Sequence, residues 1–424
     1  MKLEAVLLIV SLGFAAAACG DGRRDGSALD AVSDAYVRLV LAVGRHDPMY
    51  VDAYYGPAEW KTEAERGAPR PVAELLTEAR DLLDRARAAP PSDRREFLEK
   101  QLVAVEGFLR KLSGESLSLD QEARLLYDVD LPRHETAELE AARARLEVLV
   151  PGPGELATRV QALRDRFVVP PDRLEAVVRK SLELARQATV ARVALPPGET
   201  FRVSFVRGKP WSAYNWYQGA FASLIEVSTD LPIELGRIFD TLAHEGYPGH
   251  HTYNALLEQK LVRAAGWREF TVYPLFSPQS VIAEGTANAG IRVLWSDAQR
   301  LALLRDTLAP LAGLFPGETE KYQELREAMR PLRFARGVAA RMLLEEGASD
   351  ERVVAFLMRY ALESEARARK AVDFMRTYRA YEFNYTVGED LVLRYVGDGP
   401  QRVARFLELL DRPVTPSGLS RGPD

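Results

Sequence analysis

With 424 residues, 47% of them hydrophobic, the chain is long enough to bury a large core in one or two domains. A single cysteine excludes both an intramolecular disulfide framework and a cysteine-rich metal site, so His, Asp and Glu are the side chains left to hold any metal. The formal net charge of -5, without a basic stripe or a nucleic-acid-binding motif, argues against a nucleic acid as partner.

At the start, Met-Lys precedes a mostly apolar run from Ala5 to Ala18. That run is shorter than the roughly 18–20 residues needed to span a bilayer and ends in small residues, so residues 1–18 read as an export signal rather than a membrane helix. Ala16-Ala17-Ala18-Cys19 resembles a bacterial lipoprotein box. The resemblance implies cleavage before Cys19 and lipid on its thiol, and Gly20 rather than Asp implies the outer membrane. Residues 19–28 are then a lipidated polar linker, and that lipid is the only expected contact with a membrane. Cleavage by ordinary signal peptidase would instead release a periplasmic protein.

Residues 29–195 carry a helical pattern almost throughout and are expected to form a helical scaffold. Leu75, Leu76, Leu82 and Leu83 follow Pro71 at helical spacing, and Leu98, Leu102, Val105, Phe108 and Leu109 follow Ser92-Asp93. Breaks at Gly56-Pro57, Pro90-Pro91, Pro151 to Gly154 and Pro170-Pro171 separate the helices. His46 and His134 lie in this half, far from the other three histidines, and His134 reads as structural.

After Pro196 the period changes from helical to alternating. Phe201, Val203 and Phe205 mark a half-buried strand, and a second strand is expected across 220–228. Between them lies Trp211 to Gly219, rich in groups able to contact a ligand. A small antiparallel ribbon here could hold an extended peptide by strand addition, or could be a plain hairpin.

Thr229-Asp230 with Pro232 starts a helix whose buried stripe is Leu235, Ile238, Phe239 and Leu242. Arg237, Asp240, Thr241 and His244 fall on another side, facing a cleft. The helix leads into His244-Glu245-Gly246-Tyr247-Pro248-Gly249-His250-His251, which gathers three of the five histidines beside a carboxylate. Imidazole and carboxylate are zinc ligands, and a free carboxylate beside the metal can serve as general base. In the usual H-E-x-x-H arrangement the histidines share one helical face. Here Pro248 forbids a continuous helix, because it lacks an N–H and its ring collides with the carbonyl of His244. On an unbroken helix His250 would point about 120° away from His244, and His251 would lie about 10 Å along the axis. Either histidine can reach the metal only if Pro248-Gly249 reshapes the backbone. Asp240, one turn before His244, is a candidate to orient its imidazole.

Ser277-Pro278 starts a second helix in which Glu284 is a lone carboxylate among apolar and small residues. Such a charge requires a partner, either an arginine or a metal. Two histidines from one segment and a glutamate from a later helix, with one position left for water, would make an open catalytic zinc site.

These residues resemble a large bacterial zincin-like family catalogued as a domain of unknown function, whose signature is HExxPGHH with a later EGWA. That family is similar to helical zinc metallopeptidases of the glutamate-ligand type. The resemblance covers about residues 215–290, and Tyr385-Thr386-Val387-Gly388 is similar to a Tyr-x-x-Gly near the family's C-terminus. It implies His244, His250 and Glu284 as zinc ligands, Glu245 as general base and Tyr385 as donor to the oxyanion. Thr286 stands where the family has Trp.

The expected fold is therefore mainly α, with helices around a deep channel, residues 196–412 forming the catalytic region and a disordered tail over 413–424. Arg333, Arg336 and Arg341 are candidates to hold a substrate carboxylate or to form salt bridges. The expected function is an exported zinc metallopeptidase acting on short or unfolded peptides. The alternatives are a metal-dependent amidase or esterase on cell-envelope substrates, and a lipid-anchored binding protein with a vestigial site.

Overall fold

Leu75, Leu82, Leu98 and Leu102 are sealed from solvent where the helices Val72–Ala88 and Asp93–Leu112 pack on each other and on Gly22–Val43. The second of these begins where its sequence says it should: the Ser92 hydroxyl accepts the Arg95 backbone N–H at 3.1 Å. The computed structural model describes residues 22–209 and 211–422, with side chains from residue 28 onward. The signal segment 1–18 and Cys19 lie outside the described residues. Helix already runs from Gly22, so the linker expected to reach residue 28 is helical over its last seven positions.

The core does not stop at the expected boundary near residue 195. Leu39, Val40 and Tyr127 belong to the same apolar cluster as Val272, Val281, Met375 and Tyr381. The N-terminal helices thus form one wall of a molecule whose opposite wall comes from the C-terminal helices. The chain is mainly α, and among the described residues no helix is long and apolar enough to cross a membrane.

Two small sheets interrupt the helices. Strand β1 (Val51–Tyr54) pairs antiparallel with β5 (Val272–Pro274), a contact between distant parts of the chain. The other sheet contains β2 (Thr200–Val206), β3 (Ala213–Gly219) and β4 (Ala222–Ser228) in the order β2-β4-β3. The two expected strands, β2 and β4, pair in parallel rather than as an antiparallel ribbon, because the segment read as lying between them is itself a strand, β3, which forms the antiparallel hairpin with β4, so the sheet is mixed. Local alternation marks a strand without naming its partner, and this is why neither the strand role of 213–219 nor the direction of β2 against β4 was legible. Strand β3 is left at the sheet edge.

The helices Pro278–Leu294 and Asn384–Val396 cross at a pair of glycines. A Cβ on Gly285 would lie 2.4 Å from the carbonyl oxygen of Gly388, and one on Gly388 would lie 2.4 Å from that of Val281. The missing side chains let the two backbones touch, which sets Glu284 beside the Tyr381–Tyr385 segment.

The tail is ordered rather than disordered through Gly422. Pro416–Ser420 is a short helix; its Thr415 cap accepts the Gly418 N–H at 3.1 Å and donates to Glu96 at 2.9 Å. Leu419 is buried, and this apolar plug ties down a chain terminus that was expected to be loose.

Replacing Gly388 with Ala should overpack the helix crossing and destabilise the protein by about 1–3 kcal/mol. Gly399→Ala, where a Cβ meets nothing within 4 Å, is the control. Equal melting temperatures for the two variants would contradict the close approach.

Candidate metal centre

The helix Leu235–Glu245 stops where Pro248 requires, and a new helix, His250–Leu257, begins two residues later. At the break the backbone folds back on itself. The Gly249 N–H donates to the Ala243 carbonyl at 3.0 Å, and a Cβ on Gly249 would lie 1.7 Å from the carbonyl oxygen of His244. Only glycine fits there. Other carbonyls freed by the break find partners too: Asn215 of β3 donates to the Glu245 carbonyl at 2.6 Å, and the Thr252 hydroxyl donates to that of Gly246 at 3.2 Å.

This reversal brings His250 Nε2 to 3.1 Å from His244 Nε2. Glu284 completes a triangle: its Oε2 lies 3.3 Å from His244 Nε2 and its Oε1 3.8 Å from His250 Nε2. Donors bound tetrahedrally to one ion at about 2.0–2.1 Å are separated by about 3.3 Å, so the spacings among the two Nε2 atoms and the Glu284 carboxylate suit such a site. Glu284 Oε1 accepts the Tyr381 hydroxyl at 2.9 Å, whereas Oε2 is buried and has no hydrogen-bond donor. A carboxylate that turns a donor-free oxygen to the His244 imidazole and its other oxygen to His250 fits a divalent cation between them.

Asn288, one helical turn after Glu284, fixes the first imidazole. Its amide N–H donates to the Tyr385 carbonyl at 3.1 Å, which turns its oxygen toward His244 Nδ1 at 2.9 Å. His244 Nδ1 therefore carries the proton and Nε2 keeps its lone pair for a metal. Asp240, the candidate for this task in the sequence, pairs instead with Arg326. The i, i+4 spacing of Glu284 and Asn288 was the signal that could have found it.

His251 turns the other way and is fully buried. Its Nδ1 meets the Ser223 hydroxyl at 2.8 Å and its Nε2 meets Glu199 at 3.0 Å, while Glu199 also accepts from Tyr247 and Arg186. Of the two histidines after the break, His250 faces His244, and His251 ties the bent segment to the β-sheet and, through Glu199 and Arg186, to the helix Pro171–Val190. Burial would raise the Glu199 carboxyl, but the donors His251, Tyr247 and Arg186 outweigh it and hold it below its usual value.

Glu245 is buried beside the histidines, with one ligand-capable atom each of His244, Glu245 and His250 lying within 4.8 Å of one another. Burial pushes its carboxyl up to about 7; the His244 charge opposes this and that of Glu284 adds to it. Burial would lower His244, but the adjacent Glu284 carboxylate and the charge of Glu245 carry it up to about 9. Burial and the neighbouring His244 charge lower His250 to about 4.

All these groups open onto a cavity of about 790 Å³. Tyr385 lines it, its hydroxyl kept protonated by burial and by the charges of Glu284, Glu382 and Glu245. Asp52, from β1, lines it as well and accepts the Tyr214 hydroxyl. The arginines proposed from sequence are paired: Arg333 with Asp390 at 2.6 Å, Arg336 with Glu363 at 2.9 Å and Arg341 with Asp120 at 2.6 Å.

No family model and no curated protein matches the chain. Among solved structures it is similar to a provisionally named lipoprotein from Colwellia psychrerythraea, with a TM-score of 0.54 and 14% identity over 82% of this chain and 65% of that one. A provisionally named lipoprotein of unknown function from Shewanella oneidensis overlaps with a TM-score of 0.42 at 15% identity, covering 85% and 75% of the two chains. An M32 carboxypeptidase from Deinococcus radiodurans R1 overlaps with a TM-score of 0.37 at 14% identity, covering 94% of each. Only the first value reaches a shared fold, and this chain spans slightly less than two thirds of that relative's length.

Because the folded Glu199 carboxyl titrates below its usual 4.5, the stability it contributes is present above that pH and lost as pH falls through the lowered value. Denaturant melts of wild type and Glu199→Gln should differ most near neutral pH and converge below about 4.5. A difference independent of pH would mean the carboxylate charge does not hold the bent segment.

Proposed function

We propose that the protein is a zinc-dependent metallopeptidase that hydrolyses short or unfolded peptides. The observation that carries this reading is the convergence of His244 Nε2, His250 Nε2 and the orphaned Glu284 Oε2, with the Glu245 carboxyl beside them on a water-accessible channel. Ligands that diverged would have favoured a vestigial site. His244, His250 and Glu284 would hold zinc, which when bound supplies a Lewis acid for the peptide carbonyl and acidifies water.

The chain's own groups would do the rest. Glu245 takes a proton from the attacking water and passes it to the leaving amine, its carboxyl lying beside both histidines on the channel wall. Tyr385 donates its phenolic O–H as charge develops on the carbonyl oxygen. Strand β3 offers its unpaired edge to an extended substrate, beside the helix that carries His244. A channel walled by helices admits an extended segment and excludes a folded domain. The export reading rests on the N-terminal run and the Cys19 box, with the Colwellia protein's lipoprotein name in keeping with it. An envelope location, anchored through Cys19 or free in the periplasm, is part of the proposal.

Purified protein should bind one zinc per chain, and Glu245→Gln should keep that zinc while losing about 10²–10⁴-fold in peptide hydrolysis. Undiminished hydrolysis in Glu245→Gln would remove the base from the scheme. Cleavage of esters or cell-wall amides but of no peptide would favour the amidase alternative.

A further inference from the structure

Charged side chains line the channel on the approach to the metal position, and nearly all are neutralised. Arg164 pairs with Glu234 at 2.6 Å, Arg292 with Glu327 at 2.9 Å and Arg330 with Glu389 at 2.8 Å, in addition to the pairs of Arg333 and Arg336. Arg237 and Arg367 are different. Among the described residues neither has a carboxylate within ion-pair distance: Arg237 donates to the Ser212 hydroxyl at 3.1 Å and Arg367 to the Pro232 carbonyl at 3.3 Å. Both line the cavity, Arg237 exposed to its water and Arg367 half-buried. Enclosure by the channel walls lowers Arg237 from arginine's usual value, the charge of Arg367 adds to this and that of Glu234 opposes it, and both arginines line the same cavity. The carboxylates whose charge reaches them, Glu234 and Glu363, are already held by Arg164 and Arg336, so two guanidinium groups without an ion-pair partner share one enclosed space, which attracts an anion, and their planar donor forks match a carboxylate.

We propose that Arg237 and Arg367 form a subsite that binds a carboxylate of the peptide substrate, about three residues from the bond that is cut. This rests on the peptidase reading. Two rulers give the spacing. Arg237 precedes His244 by seven residues, two turns on the same helical face, which is about 10 Å at 1.5 Å per residue. Alongside runs the edge of the sheet: Ser212 touches Arg237, and Asn215 bonds the Glu245 carbonyl. Three strand residues also span about 10 Å, so a peptide added to β3 would place three of its residues between the two sites. The carboxylate can be the substrate's C-terminus or an acidic side chain; the chemistry at the arginines is the same.

The test uses zinc-loaded protein and peptides in matched pairs: a free against an amidated C-terminus three residues past the scissile bond, and in longer peptides Glu against Gln three residues to either side of it. The carboxylate member of at least one pair should have a kcat/KM about ten- to a hundredfold higher, and the pair that responds identifies the source. Arg237→Gln and Arg367→Gln, on different helices, should each erase most of that preference while leaving the neutral peptide's rate unchanged. Where one variant fails to fold, the other carries the test. The same pairs are titrated calorimetrically into zinc-loaded Glu245→Gln. An arginine-dependent preference in binding with no hydrolysis of any peptide by wild type would keep the subsite and overturn the peptidase reading. Hydrolysis with no carboxylate preference, or with a preference that survives both arginine substitutions, would overturn the subsite.

Discussion

The approach of Gly249 to the carbonyl of His244 is the constraint on which the centre depends. A straight helix would send His250 away from His244, and any side chain at 249 would prevent the backbone from folding back. Proline ends the first helix and glycine permits the return, so a disruption of regular structure becomes the device that sets two imidazoles 3.1 Å apart. The break is then secured from outside by Asn215, Thr252 and the His251–Glu199 contact, so its freed polar groups are satisfied.

A second pair of glycines does for Glu284 what Gly249 does for His250. Contact between Gly285 and Gly388 brings the helix 384–396 and the turn before it against the Glu284 helix. Tyr381 then reaches one oxygen of Glu284, and the Tyr385 carbonyl reaches Asn288. The lone carboxylate is thereby held with one oxygen bonded and the other directed at His244. Both ends of the centre are thus positioned by backbone contact rather than by long side chains, and this favours a site of fixed geometry.

Much of this was legible in the sequence because it is local. Pro248 dictated the break, the apolar stripe of residues 235–242 put His244 on the other face, and the apolar surroundings of Glu284 required a partner for its charge. What escaped depends on distant residues meeting. Asp240 was one turn from His244 but found Arg326, and Asn288 took the orienting role through a bond to Tyr385, 97 positions away. Arg333, Arg336 and Arg341 met carboxylates, whereas Arg237 and Arg367 did not; no spacing rule distinguishes them. The parallel pairing of β2 and the docking of Leu419 were hidden for the same reason.

The central claim is that one cation is held by His244, His250 and Glu284. Anomalous diffraction at the zinc edge from crystals of zinc-loaded protein tests it most directly. The account predicts a single full-occupancy peak about 2.0–2.1 Å from His244 Nε2, His250 Nε2 and an oxygen of Glu284, with His251 still bonded to Glu199. Zinc bound by other residues, or none at this position, would contradict it.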